Sequence, residues 1–119
     1  MGFFSSVSGT EVDDFGKALA RELAEKYPPT MENPKDDNKR SAPKASTLER
    51  RLTQLLEMLY AKALTFKSEK KLGIYKRARL GNAFRWELDQ LGYSKKFVEV
   101  ATEGMVVFLS RKSDTNVAK

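Results

Sequence analysis

All four prolines of this 119-residue chain, Pro28, Pro29, Pro34 and Pro43, fall within residues 28–43. Proline lacks a backbone donor and clashes with the preceding turn, so no undisturbed helix crosses that window. The stretch YPPTMENPKDDNKRSAPKA, residues 27–45, is polar and has no apolar periodicity. It reads as a flexible linker, assigned to residues 27–46. A structureless loop of this length is rare inside a compact domain, which favours a tether between two parts. As a coil of about 18 residues it spans ~23 Å, so the leading segment can dock on its own chain or on a neighbour. The expected organisation is a flexible N-terminus (1–10), a tethered amphipathic helix (11–26), the linker, a helical core domain (47–109) and a disordered tail (110–119).

On both sides of the linker the apolar residues recur at helical spacing. Val12, Phe15, Gly16, Leu19 and Leu23 form one narrow stripe over 11–26, with Thr10 as expected N-cap and Glu11, Asp13 and Asp14 in the opening turn. Small residues at Gly16 and Ala20 allow a close approach by whatever covers the stripe. Over 47–66, Leu48, Leu52, Leu55, Leu59 and Phe66 share a face that Leu56, Tyr60, Ala63 and Leu64 widen, as for a central helix touched from two sides. Ser46 and Glu49 form a capping box there. A third helix is expected from Ile74 to Leu91, with Leu80, Phe84, Leu88 and Leu91 inward, Gly73 breaking it from the second and Gly92 ending it.

Residues 95–109 support two readings. Ser94 suits an N-cap, and Phe97, Ala101, Met105 and Phe108 fit a helical stripe. Against that, Val98, Val100, Val106 and Val107 favour strands, and Thr102-Glu103-Gly104 can turn a hairpin. The expected fold is therefore all-α, a small bundle of about four helices; the alternative is three helices plus a C-terminal β-hairpin.

The chain has no Cys and no His, which removes disulfides, thiolate ligands and the commonest general base. No phosphate-binding glycine motif or calcium-loop pattern is present. The expectation is a non-enzyme without catalytic residues, metal or cofactor. No apolar run approaches the roughly 18 residues of a membrane span, so a soluble, intracellular, cytoplasmic protein is expected. Membrane association through Phe3 and Phe4 has little support.

Charge is unevenly distributed. Residues 1–34 carry three basic and six acidic side chains, net −3, whereas residues 35–96 carry sixteen basic and seven acidic, net +9. The stretch KSEKKLGIYKRARLGNAFRW, residues 67–86, alone holds seven Lys or Arg and one Glu, a net charge equal to the +6 of the whole chain. Tyr75, Arg79, Asn82 and Trp86 within it follow i, i+4, i+7, i+11, away from the Leu80/Phe84/Leu88 stripe. Arginine forks suit phosphate, amides suit base edges and flat rings suit unpaired bases. The candidate nucleic-acid-binding residues are Lys67, Lys70, Lys71, Tyr75, Lys76, Arg77, Arg79, Asn82, Arg85 and Trp86. Lys35, Lys39, Arg40 and Lys44 in the linker add a basic arm.

A competing account has the first helix packing on this face, with Arg79 bridging to Asp13, Asp14 or Glu22 and the rings buried. The functional expectation is a small accessory protein that binds DNA or RNA through the basic face. The alternative is a protein-interaction module, a homodimer or an adaptor for an acidic partner. It would use Phe15, Leu19 and Leu23 of the first helix and the broad apolar face of 47–66.

Overall fold

The computed structural model describes residues 8–32 and 45–118, with side chains described for 8–31 and 49–110. Residues 1–7, the linker segment 33–44 with its four basic residues, and Lys119 lie outside the described residues, as do the side chain of Ser46 and those of residues 111–119 of the expected tail. The elements in chain order are α1 (Gly9–Lys26), α2 (Pro29–Glu32), α3 (Ala45–Lys70), α4 (Ile74–Leu91) and α5 (Lys95–Ala118). Among the described residues there is no strand. The fold is a small all-α bundle, and the hairpin alternative is corrected by one continuous helix from Lys95.

The reason the helix prevails at the C-terminal end is burial. Val98, Ala101, Met105 and Leu109 are all buried, at i, i+3, i+7 and i+11, while Val100, Val106 and Val107 face outward. A strand would place Val98 and Val100 on one face; here they lie on opposite sides. Phe97 and Phe108, expected on the stripe, flank it half-buried. Ser94 caps the helix, its Oγ accepting from the Phe97 N–H at 3.1 Å.

α1 packs chiefly against α4, α4 against α5, and α3 against α5 and α1. A single core unites them: Val12, Leu19 and Leu23 of α1 meet Leu59 and Ala63 of α3, Leu80, Phe84 and Leu88 of α4, and Met105 of α5. α1 thus docks on its own chain and belongs to the same core as residues 47–109. Its close approach to α4 depends on Gly16. A Cβ there would stand 2.9 Å from both the Leu80 carbonyl oxygen and the Ala83 Cβ.

The acidic front and basic middle of the chain do attract each other: Lys62 Nζ meets Glu22 Oε2 at 2.8 Å. One pair runs the other way, with Arg21 Nε 2.8 Å from Glu87 Oε2. Together with an Asp13–Arg79 pair, these contacts fix α1 along its length.

Helix ends differ in detail from the sequence expectation. α1 begins two residues earlier, with Ser8 as N-cap accepting from the Glu11 N–H at 3.1 Å, so Thr10 lies inside the first turn. Ser46 likewise falls within α3 rather than before it. The break after α3 is made by Lys71, not Gly73. Lys71 adopts φ 52°, and Leu72 N–H returns to Lys67 O at 3.0 Å, closing the helix while burying Leu72. α4 ends in the same way at Gly92, with φ 106° and Tyr93 N–H bonded back to Leu88 O at 3.3 Å.

Candidate nucleic-acid interface

Two sides of α4 are covered, by α1 and by α5, which leaves one outward strip. The strip carries Tyr75, Ala78, Asn82, Arg85, Trp86 and Asp89, with Arg79 at its α1 edge. Tyr75 is 69% exposed and Trp86 54% exposed. The helical spacing that put Tyr75, Arg79, Asn82 and Trp86 on one face therefore describes the real surface, and neither ring lies beneath α1.

Trp86 forms the ridge between two open grooves. The α1 side, about 620 Å³, is lined by Asp13, Lys17, Tyr75, Arg79, Asn82 and Trp86 among others. The α5 side, about 370 Å³, is lined by Asn82, Arg85, Trp86, Asp89, Lys95 and Glu99 among others. Asn82 and Trp86 border both. Lys17 Nζ stands 5.5 Å from the indole centroid, a cation–π contact worth ~0.5–1 kcal/mol at an exposed site.

Arg79 is the residue whose environment departs most from a free cation. Its Nε donates to Asp13 Oδ1 and its second terminal nitrogen to Asp13 Oδ2, both at 2.9 Å. Its other terminal nitrogen reaches the Tyr75 hydroxyl at 3.5 Å. The Asp13 hydrogen bonds hold the guanidinium even more firmly protonated than usual, and the same contacts lower the Asp13 carboxyl below its ordinary range. The guanidinium also lies over Gly9, where a Cβ would stand 2.6 Å from Cζ. Arg79 is thus committed to α1, and the bridge foreseen to Asp13, Asp14 or Glu22 is to Asp13.

The seven cations of residues 67–86 do not share one face. Arg79 and Arg85 belong to the outward strip. Lys76 stands seven residues before Ala83, on the side facing α1, and is half-buried. Arg77 stands one turn before Leu80 and Gly81; its Nε is buried without a hydrogen-bond partner. Lys67 and Lys70 end α3, where Lys70 lies 3.7 Å from Glu11, and Lys71 forms the turn.

The residues foreseen for a partner are occupied within the chain. Leu19 and Leu23 are buried, and the Phe15 ring stacks on Phe66 at a centroid distance of 4.0 Å.

Sequence reasoning missed Lys17, Lys95, Asp89 and Glu99 as neighbours of the platform. Lys17 follows Asp13 by one helical turn and Gly16 by one residue, so it edges the α1 stripe that meets α4. That position is the signal that could have found it.

No family model, curated protein or solved structure matches this chain. Among the described residues no group of three or more His, Cys, Asp or Glu is placed to hold a metal ion. No helix among them is long and apolar enough to cross a membrane.

Proposed function

We propose that the protein is a non-enzymatic accessory protein that binds nucleic acid through the outward strip of α4. The observation that carries this reading is the Trp86 indole, half exposed on the same strip as Tyr75 and Asn82, with cations beside it. A large ring half left in solvent forgoes about half of the ~1.5–3 kcal/mol of full burial, which a stacking partner would recover.

The ion pairing of Arg79 limits how many phosphates the strip engages. Lys17, Arg85 and Lys95 line the grooves without a carboxylate at salt-bridge distance among the described residues. About three phosphate contacts imply a log–log salt slope of roughly −2 to −3. Filter binding across salt tests this. Affinity should fall by about 15- to 60-fold between roughly 50 and 200 mM salt; a flat response, or no binding in dilute salt, contradicts the reading.

A second reading, self-association, has one observation in its favour. Val100 and Val107 are half exposed along a groove of about 460 Å³ that Tyr60 and Phe108 floor between α3 and α5. Light scattering decides it: a dimer whose mass falls on Val107→Lys supports this surface as an interface, and a monomer at high concentration removes it.

A further inference from the structure

The charges on the outward strip nearly cancel, and that balance bears on the kind of nucleic acid. Four cations line the two grooves, Lys17, Arg79, Arg85 and Lys95, against three carboxylates, Asp13, Asp89 and Glu99. A duplex presents a dense double row of phosphates, one charge per ~1.7 Å of axis, and such a surface repels it almost as much as it attracts it. The same mixture suits base edges, because carboxylates accept from exocyclic amino groups and an asparagine pairs with a base edge in two directions. The exposed rings add a requirement of their own. Trp86 and Tyr75 offer faces to flat partners, and the bases of an intact duplex have theirs covered by their neighbours.

We infer that the strip selects an unpaired strand whose bases turn inward onto Trp86, Asn82 and Tyr75, with its phosphates outward near Lys17, Arg85 and Lys95. The inference rests on the nucleic-acid reading above and narrows it to single-stranded DNA or RNA. Trp86 is the principal stacking platform, since it borders both grooves; Lys17 stands over one face of its ring. Asn82, beside it in both grooves, is placed to meet the edge of the stacked base.

Trp86 is the only tryptophan of the chain, so its emission reports on this site alone. The full-length protein is titrated in dilute salt with an unstructured oligothymidine of about twelve nucleotides, within the site sizes such platforms cover. A duplex of equal length serves as competitor. The expected result is quenching of Trp86 by the single strand and weaker displacement by the duplex. Trp86→Ala, read by polarisation of the labelled strand, should bind about 5- to 150-fold more weakly, the loss of one stacked base. Trp86→Phe should keep most of the affinity, and its far-ultraviolet dichroism controls for folding. Duplex binding as tight as single-strand binding, with indole emission unmoved, overturns the inference and leaves the broader reading standing. Absence of binding to either overturns both.

Discussion

Asp13 and Arg79 meet fork to fork across the α1–α4 contact, with both N···O distances at 2.9 Å, 66 residues apart in the chain. The pair sits at the edge of the outward strip, so one contact both fastens α1 and neutralises a cation of the strip. Both side chains are about one-third exposed, and solvent screens much of their attraction.

Asp13→Asn should therefore lower the melting temperature only modestly. The sign of its pH dependence is defined. The folded state lowers the Asp13 carboxyl below 3.8, so the pair stabilises the fold above that value and ceases to as pH falls through the folded one. Thermal melts of wild type and variant should differ at neutral pH and converge in acid. The same substitution frees Arg79, and the salt dependence of single-strand binding should steepen by up to ~0.7 log units per log unit of salt.

Gly16→Ala should destabilise despite replacing glycine inside a helix. A methyl group meets the Leu80 carbonyl and the Ala83 Cβ at 2.9 Å, and backbone cannot swing aside. Overpacking costs ~1–3 kcal/mol against a propensity gain of about 1 kcal/mol, so chemical denaturation should show a net loss of about 1 kcal/mol. Gly81→Ala, inside α4, is the control. A Cβ there would meet only the Val106 side chain at 3.5 Å, an ordinary contact, so stability should hold or rise.

Valine substitutions two residues apart distinguish the helix from the hairpin in α5. Val98 is 3% exposed and Val100 57%. Val98→Ala should cost about 2 kcal/mol through lost burial and an unfilled cavity. Val100→Ala should be neutral or slightly stabilising, because alanine is the better helix former. Equal effects would indicate strand alternation instead.

Tyr60 should titrate later than a free tyrosine. Its hydroxyl donates to Ala101 O at 2.7 Å, and burial raises its pKa to about 12. The folded state holds this proton more tightly than the unfolded chain, so stability is full below the ordinary tyrosine value of 10.0 and declines as pH rises towards 12. Ultraviolet titration should show a delayed phenolate that Tyr60→Phe removes.

Within each helix the pattern was legible because burial follows spacing along a single element. The Leu80, Phe84, Leu88 and Leu91 series located the inward side of α4, and its complement placed Tyr75, Asn82 and Trp86 outward. The close α1 crossing was foreshadowed by Gly16. What the spacing could not carry was partner choice between elements. Nothing local to Arg79 marks Asp13 as its carboxylate, and nothing local to Trp86 brings Lys17 beside it. Valine's strand preference blurred α5, since propensity amounts to tenths of a kcal/mol per residue while burying Val98, Met105 and Leu109 is worth several in sum. The position of Lys71 was hidden for a similar reason. Glycine is the usual left-handed helix end, and here the burial of Leu72 two residues after Lys70 fixed the turn on lysine.

The outward strip of α4 as the binding surface is tested most directly by amide and indole chemical shifts of the full-length protein during titration with a short oligothymidine. The expected shifts gather on Lys17, Tyr75, Asn82, Arg85 and the Trp86 indole N–H, while Val100, Gly104 and Val107 on the α3–α5 side stay in place. An unmoved indole signal at saturating strand, or shifts confined to that other side, would contradict the account.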